Sequence, residues 1–428
     1  MTGGCAGRAP HTHPSFFKFP VKKIYHLARH RAAQFWLNGL HPGLVQIAVT
    51  GSYGKTSIAN AIYQALSAVH PTIRTDINLD TIYNVPITAL QVRAAHRYAV
   101  FELGIDSPNE MDFHLRIVRP AISVVTGITP VHSDEKHVGS LEHIIQQKGR
   151  ILEALDPEYG TAVLNADDPE VRAMAGRTRA RVLFYGRSVE CDYRVDGLIL
   201  SLEGTAFTIR SPQGEIPVRT GLLGGHNASN LAGAAAVAHL AGLDDEAIRT
   251  AFESLEPLRG RFSVEPGPGG LRLINDTLRA NPASTRAGLE FLREVRPLGR
   301  TIAVLGEMGE LGDHAVSGHR EIGTAAAAAD PALLITVGEL TRHTAGAATE
   351  AGLPAGRVHA AENVHAAARL LEEHARAGDI VYLKGSLMRH MERIPLILAS
   401  EEVGCRVVSC PFYHQCPVCA YLVNGYNT

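Results

Sequence analysis

The chain has 428 residues, which at about 150 residues per domain predicts two or three domains. Its 41 Lys and Arg residues nearly balance 43 Asp and Glu residues, and the formal charge of −2 argues against a protein built mainly to coat nucleic acid or an anionic membrane. Hydrophobic residues at 45% and charged residues at 20% are typical of a globular protein. No apolar run reaches the roughly 18 residues of a membrane helix, and the N-terminus lacks a signal-peptide core, so we expect a cytoplasmic protein.

The chain begins with a basic extension over residues 1–43. Within it, residues 21–40 carry apolar side chains at helical spacing, with Lys and Arg between them. This pattern predicts a basic amphipathic helix packed on the body of the protein, and a helix lying on a membrane surface is the alternative.

Residues 44–258 form the predicted central domain, in which short apolar runs alternate with helical segments. That alternation is typical of a parallel sheet covered by helices. Strands are expected at 44–49, 98–103, 121–126, 162–165 and 182–185, and helices at 56–68 and 141–155. Polar and apolar residues alternate over 190–222, which predicts antiparallel strands at the edge of this domain.

The strand and helix alternation resumes beyond LEPLRGRF, which places a domain boundary near residue 258. A second α/β domain is expected over 259–400, with strands at 301–305, 333–337 and 379–383. A Cys-rich tail occupies 401–428. The predicted fold class is therefore α/β, with two sheet domains in sequence.

A phosphate-binding loop is predicted at the first strand of the central domain. The segment Gly51, Ser52, Tyr53, Gly54, Lys55, Thr56 and Ser57 stands between an apolar run and a helical run. Glycines let backbone N–H groups face phosphates, and the helix N-terminus adds positive potential. Lys55 is expected on the β- and γ-phosphates and the Thr56 hydroxyl on Mg²⁺. Val49 stands where the usual pattern has its first glycine.

The tail contains four of the six cysteines, namely Cys405, Cys410, Cys416 and Cys419. In a reducing compartment such a cluster favours metal ligands or free thiols over disulfides. Four thiolates suit a tetrahedral Zn²⁺, with the C-x2-C pair at its end, and an iron–sulfur cluster has the same ligand count. We expect zinc, with reduced thiols on a packed tail as the alternative.

Several segments, in this order, resemble the Mur ligase family and above all its D-alanyl-D-alanine-adding members. They are AVTGSYGKTS, FELGIDSPNEM, VGSLEHIIQQKGRILEAL, AVLNADDP, GGHNASNLAGAAAVA, LRGRF, LINDTLRANPAS, IAVLGEMGELGDHAVSGHREIG and VYLKGS. The resemblance implies a central P-loop ATPase domain and a C-terminal Rossmann-like domain. It implies an ADP-forming ligase of peptidoglycan synthesis that uses ATP and Mg²⁺. A carboxylate becomes an acyl phosphate, which an amine then attacks.

The resemblance also assigns metal and catalytic residues. Glu102 matches the family's Mg²⁺-binding glutamate, and His132 matches its second metal-site histidine, with His137 as the competing candidate. Lys148 matches the lysine that the family carbamylates, which would turn a cation into a carboxylate-like metal ligand. Arg261 matches the family's arginine, whose planar fork suits phosphate across a closing cleft.

Further matches concern the nucleotide and the amine side. Asn227 and Asn230, after His226, match the family's HNxxN block, where ATP contact and helix capping are equally good interpretations. Asp276 and Asn281 match a nucleotide-contacting motif, in which Arg279 replaces the usual asparagine. The remaining matches are Asn78 near the γ-phosphate, and His319, Lys384 and Ser386 near the amine substrate, for which structural packing is the alternative.

The substrates follow less directly from the sequence. The family carries an N-terminal domain of about a hundred residues for the UDP-sugar, but here the loop begins after about 50 residues, so we expect no such domain and a different acid. The expected partners are two small molecules, an acid and an amino acid or dipeptide amine, and no nucleic acid is expected. We expect the protein to be a monomer or a weak dimer. The alternatives are an amide ligase of a specialised pathway and a nucleotide-binding regulator with little turnover.

Overall fold

The computed structural model describes residues 20–76, 81–130, 138–412 and 415–426, and its architecture is two successive α/β units. The helices are α1 (Pro20–Phe35), α2 (Lys55–Ser67), α3 (Thr81–Gln91), α4 (Glu110–Leu115), α5 (Leu141–Glu153), α6 (Pro169–Ala173), α7 (Gly225–Leu240), α8 (Asp245–Glu253), α9 (Pro282–Val295), α10 (Ala315–Ala329), α11 (Arg342–Glu350), α12 (Val364–His374) and α13 (Arg393–Leu398). The predicted α/β class is confirmed.

The first sheet has the strand order β2-β3-β1-β4-β5-β6-β7-β8-β9. Its strands are β1 (Val45–Thr50), β2 (Thr72–Arg74), β3 (Tyr98–Glu102), β4 (Ile122–Val125), β5 (Thr161–Asn165), β6 (Arg181–Gly186), β7 (Tyr193–Leu200), β8 (Thr205–Ser211) and β9 (Gly214–Thr220). Neighbours from β2 to β7 pair in parallel, whereas β7, β8 and β9 pair antiparallel. Because the order reverses around β1, the carboxyl ends of β3, β1 and β4 open a crevice there.

The second sheet has the order β10-β11-β15-β12-β13-β14. Its strands are β10 (Ser263–Pro266), β11 (Arg272–Asp276), β12 (Thr301–Gly306), β13 (Leu333–Val337), β14 (Val358–Ala361) and β15 (Ile380–Lys384). Only the edge strand β10 is antiparallel to its neighbour among these described strands, as expected for a sheet with helices on both faces.

Apolar side chains cover both faces of each sheet. On the first sheet, α2, α7 and α8 pack on one face and α3, α4 and α5 on the other. The residues of α7 from Asn227 to His239 are all buried, which explains its run of alanines and glycine. A Cβ on Gly233 would lie 2.9 Å from Ile58 and Tyr185, so only glycine fits there.

The two units share one apolar cluster. Leu202 and Leu223 of the first unit pack with Phe262 and Phe291 of the second. This contact places the carboxyl ends of the first sheet's strands against the beginning of the second domain. The site described below lies beside it.

The basic helix of the extension packs on the first domain. Leu37, in a π-helical turn after α1, is fully buried, and the Trp36 indole donates to the Val92 carbonyl at 2.9 Å. The His30 ring bonds the Phe113 carbonyl at 2.8 Å. These contacts support the prediction that this segment packs on the body of the protein. None of the helices in the described part of the chain combines the length and apolarity required to cross a membrane.

Candidate active site

The loop between β1 and α2 needs glycine at two positions. Gly51 has φ = 153° and Gly54 has φ = 76°. A Cβ on Gly51 would lie 2.0 Å from Thr126 Oγ1, so a side chain is excluded there. The backbone therefore turns tightly into the first turn of α2, which begins with Lys55 and Thr56.

Residues directly after the neighbouring strand β4 form hydrogen bonds to this loop. The Ser52 backbone N–H donates to the Gly127 carbonyl at 2.6 Å. The Thr126 hydroxyl donates to the Thr50 carbonyl at 3.2 Å and also contacts the Tyr53 carbonyl. These bonds form because β1 and β4 are parallel neighbours whose ends meet at one edge of the sheet.

A buried carboxylate completes the support of the loop. The Tyr53 hydroxyl donates to Asp168 Oδ2 at 2.9 Å, and the same oxygen accepts the Ile128 backbone N–H at 2.9 Å. The other Asp168 oxygen accepts the backbone N–H groups of Glu170 and Val171 and so caps α6. Burial, followed by the charge of Asp168, raises the pKa of Tyr53, so this hydroxyl stays a donor.

Two lysines converge on one backbone oxygen. Lys55 Nζ donates to the Gly51 carbonyl at 2.8 Å, and Lys148 Nζ, from α5, donates to the same oxygen at 3.0 Å. Lys148 is only 3% exposed. Burial, together with the charge of Lys55, lowers the pKa of Lys148 well below its ordinary value, and burial also lowers the pKa of Lys55. Burial and the neighbouring charge therefore both act against a positive charge on Lys148.

A hydroxyl and a carboxylate lie together at the start of α2. Thr56 Oγ1 donates to Glu102 Oε1 at 3.2 Å, across the ends of β1 and β3. The Glu102 backbone N–H donates to the Thr75 hydroxyl at 3.0 Å, which fixes the end of β3. Hard oxygen donors of this kind suit Mg²⁺, and they flank a helix N-terminus that favours phosphate.

The second domain contributes arginines to the same site. Burial lowers the pKa of Arg261, while the charge of Glu102 opposes that change and the charge of Arg279 adds to it. Both arginines also act on the pKa of Lys55. The loop of the first domain and the beginning of the second domain therefore share one electrostatic environment.

A buried ion pair stands beside these arginines. Lys384 Nζ, at the end of β15, donates to Asp276 Oδ2 at 2.6 Å, and the Tyr382 hydroxyl donates to the same oxygen at 3.3 Å. Burial lowers the pKa of Lys384, and the Asp276 carboxylate opposes that change. Burial also lowers the pKa of His226 to about 4, with Asp276 again opposing. The His226 ring contacts the Phe262 ring, which in turn contacts the Tyr382 ring, and these contacts link α7 to the second sheet.

The predicted asparagines lie at helix ends. The Asn227 side chain donates to the Leu223 carbonyl at 2.9 Å, and Asn281 caps α9 by accepting a backbone N–H at 2.9 Å. Asn230 lies against the phosphate loop, since a Cβ on Gly54 would be 3.2 Å from Asn230 Oδ1. Capping accounts for Asn281, whereas Asn227 bonds the segment before α7 and Asn230 faces the loop.

Of the other predicted residues, three lie outside the described residues, two bond a loop of the second domain, and Ser57 lies on α2. Asn78, His132 and His137 lie outside the described residues. His319 Nε2 and Ser386 Oγ accept backbone N–H groups of the loop after β12, at 3.1 and 2.7 Å. They hold that loop in place. Ser57 lies in the first turn of α2.

Sequence reasoning missed the residues that support the phosphate loop. Thr126 follows a strand adjacent to β1, and the rule that ligands bind at the carboxyl ends of parallel strands could have identified it. Asp168 precedes a proline at the first position of a helix, which is a typical capping pattern. The hydrogen bond between the Tyr53 hydroxyl and Asp168 could not be predicted from the sequence, because these residues are 115 positions apart.

Comparisons with known proteins identify both domains. The Mur ligase middle domain matches residues 49–238, and the Mur ligase glutamate ligase domain matches residues 260–387. The UDP-N-acetylmuramoyl-tripeptide–D-alanyl-D-alanine ligase of Mycobacterium tuberculosis (strain ATCC 25618 / H37Rv) is 33% identical over 363 residues, covering 80% of this chain and 71% of the relative. The Bacillus subtilis (strain 168) ligase of the same name is 28% identical, covering 81% and 74%.

Solved structures agree with this assignment. A crystal structure of MurF from Acinetobacter baumannii superposes with a TM-score of 0.78 at 27% identity, covering 88% of this chain and 81% of that one. Folylpolyglutamate synthase of Mycobacterium tuberculosis with ADP shares the fold, with a TM-score of 0.64 at 20% identity and coverage of 84% and 92%. The chain therefore belongs to the Mur ligase family of ATP-dependent, ADP-forming peptide ligases.

Proposed function

We propose that this protein joins a peptide carboxylate to the amine of D-alanyl-D-alanine, as the names of its relatives say of those enzymes. One observation carries the proposal. Lys55 and Lys148 meet at the Gly51 carbonyl, beside the Thr56 and Glu102 pair. A scaffold that only binds nucleotide has no need of a second buried lysine at its phosphate loop.

The donor set at the loop fits ATP with Mg²⁺. The backbone N–H groups of the loop and Lys55 would hold the β- and γ-phosphates, and Thr56 and Glu102 would hold the metal. When bound, Mg²⁺ supplies charge that offsets the negative charge of the phosphates. We also propose that Asn230 and Asp276 contact the nucleotide and that His132 is the second metal-site histidine.

We propose that Lys148 acts as a carbamate. Its neutral amine would attack the carbon of CO₂ and release one proton, which gives an N-carboxylate of charge −1. The lowered pKa of Lys148 supports the neutral, nucleophilic form. The resulting anion would pair with the Lys55 ammonium and offer oxygen donors to a second Mg²⁺.

The reaction then proceeds in two substitutions. The substrate carboxylate oxygen attacks the γ-phosphorus, the bond to the β-phosphate oxygen breaks, and ADP leaves with an acyl phosphate behind. The amine nitrogen attacks the acyl carbon, phosphate leaves, and the amine proton passes to solvent or a nearby base. Lys55 and Arg261 would stabilise the charge that develops on the transferred phosphoryl group.

The division of the chain supports such a two-sided site. We propose domains at 44–258 and 259–400, with the acid and nucleotide bound by the first and the amine by the second. Arg261 and Arg279 come from the second unit yet act on the pKa of Lys55 in the first. Closure of the two domains would complete the site and exclude water from the acyl phosphate.

The test measures ADP release from ATP and Mg²⁺ with each substrate alone and with both together. The probes are UDP-N-acetylmuramoyl-tripeptide, the same tripeptide without the nucleotide, and D-alanyl-D-alanine. We expect release that requires both an acid and the dipeptide, and loss of release in Lys55→Met. ADP release that ignores the amine, or nucleotide binding without turnover in every combination, would contradict the proposal.

A further inference from the structure

The tail beyond α13 is compact although it has little regular structure. From 401 to 426, the described residues contain one short 3-10 turn, at Cys416–Val418. The Cys405 backbone N–H donates to the Leu422 carbonyl and the Cys410 N–H to the Met388 carbonyl, both at 2.9 Å. The other backbone bonds within this segment are local turns, such as Cys419 N–H to the Cys416 carbonyl, so the described tail has few long-range cross-links of its own.

All four tail cysteines line one small cavity. Cys405, Cys410 and Cys416 are 8%, 8% and 5% exposed, and Cys419 is half-buried. Their side chains line the cavity together with His390, and none of them forms a disulfide among the described residues. Buried thiols therefore converge from two ends of the tail on a space of about one ion.

A histidine with an unused acceptor lies at the wall of this cavity. His390 Nδ1 donates to Glu392 Oε1 at 2.7 Å, while His390 Nε2 is buried with no hydrogen-bond partner in the described structure. The ligand atoms of His390, Glu392 and Cys416 lie within 4.8 Å of one another. A ring whose one nitrogen donates to a carboxylate, with the other left as acceptor, is the usual arrangement of a metal-binding histidine.

The charge around the cavity also needs a partner. The Arg393 guanidinium is 1% exposed, and it donates to the carbonyls of Cys405 and Val407 and to Cys405 Sγ at 3.6 Å. No carboxylate forms an ion pair with Arg393 in the described part of the chain. Thiolates bound to a metal would carry the negative charge that this buried cation lacks.

We propose that this cavity is a structural zinc site. Cys416 and His390 Nε2 are two of the ligands, and two of the other three tail thiolates complete a tetrahedron with Zn–S distances of about 2.3 Å. Thiolate and imidazole donors select zinc over Mg²⁺, and the Cys416 and Cys419 pair has the C-x2-C spacing of zinc sites. The site fixes the tail to α12 and α13, since the His365 ring also donates to the Cys405 carbonyl at 3.1 Å.

The experiment measures metal in the purified full-length chain by mass spectrometry. We expect about one equivalent of zinc in the natural protein, and a several-fold loss in Cys416→Ser and in His390→Ala. Cys191→Ser is the matched control, because Cys191 is a cysteine without a disulfide that lies away from the cavity, and it should keep its zinc. A natural protein with less than about 0.2 equivalents of zinc would overturn the proposal.

Two measurements on the unaltered chain guard against variants that fail to fold. Replacement of zinc by Co²⁺ should give thiolate-to-metal charge-transfer absorption, and chelation should lower the melting temperature until zinc is restored. All six cysteines should react with a thiol reagent after denaturation with chelator and without reductant. Four unreactive cysteines would indicate two disulfides, whereas iron with bound sulfide would indicate an iron–sulfur cluster. Either result would refute the zinc site.

Discussion

Replacement of Lys148 by alanine tests whether the charge carried by the Lys148 side chain takes part in catalysis. Lys55 Nζ and Lys148 Nζ lie 2.8 and 3.0 Å from the same oxygen, so they are at most 5.8 Å apart. At an effective dielectric constant of about 20, two positive charges at that distance repel by about 3 kcal/mol. The neutral Lys148 amine proposed above avoids this repulsion, and carbamylation would replace it with an anion that attracts the Lys55 ammonium by a similar energy.

We expect Lys148→Ala to lower kcat by about 10²–10³-fold, the loss typical of removing one group that stabilises transition-state charge. Formate or acetate should restore part of the rate, because a small carboxylate can occupy the position of the carbamate. Lys148→Arg should stay inactive in the same buffers, since arginine keeps the positive charge. The assay is steady-state ADP release, with and without added carboxylate.

Arg150→Ala is the matched control on the same helix. Arg150 is exposed, and its pairs with Asp112 and Glu153 are worth about 1 kcal/mol or less. This variant should keep its natural kcat. Full activity in Lys148→Ala, or an unchanged rate of the natural protein after removal of CO₂ from the buffer, would refute the reasoning.

Three further predictions concern the groups around the site. Asp276→Asn leaves the buried Lys384 ammonium without its carboxylate, and urea unfolding should report a loss of about 3–5 kcal/mol. Asp168→Ala removes the cap of α6 and the acceptor of the Tyr53 hydroxyl, so unfolding should cost about 1–3 kcal/mol less and the KM for ATP should rise. The pKa of His226 is about 4 in the folded protein against 6.5 ordinarily, so the unfolded chain binds the extra proton between these values. The free energy of unfolding should therefore have its full value above pH 6.5 and fall by up to about 3 kcal/mol towards pH 4. The His226→Gln variant should lack this pH dependence.

These predictions have a common stability control. Arg320→Ala breaks an exposed pair with Glu350 and should change the free energy of unfolding by less than about 1 kcal/mol at any of these pH values. An Asp276→Asn loss no larger than that of Arg320→Ala would show that the buried pair is unimportant. If the free energy of unfolding of the unaltered protein does not change between pH 6.5 and pH 4, the assignment of this pH dependence to His226 is wrong.

The fold was largely predictable because buried parallel strands appear as continuous apolar runs. The strands β1, β3, β4, β5, β6, β12, β13 and β15 lie where the sequence predicts them. The strand β2 was missed because it has only three half-buried residues, and β10 because it is a short edge strand. The predicted helix over 21–40 ends early, as α1 at Phe35, and continues as a π-helical turn.

The candidate site was predictable where its residues are close in sequence. Lys55 and Thr56 follow from the loop pattern, whereas the contact of Lys148 with Gly51 joins residues 97 positions apart. The pairing of Asp276 with Lys384 likewise depends on β11 and β15 being neighbours. Such contacts arise from the three-dimensional arrangement of strands and helices, which local patterns in one sequence do not reveal. The roles assigned to these residues stay predictions until they are tested.

The most direct test of the ligase mechanism follows one oxygen atom. The acid substrate is labelled with ¹⁸O in its reacting carboxylate, and the phosphate released with the amide product is analysed by mass spectrometry. Formation of an acyl phosphate requires that one labelled oxygen leave in each phosphate, because the amine displaces the oxygen that attacked ATP. Unlabelled phosphate released with the amide product, with the lost carboxylate oxygen found in water instead, would contradict the mechanism.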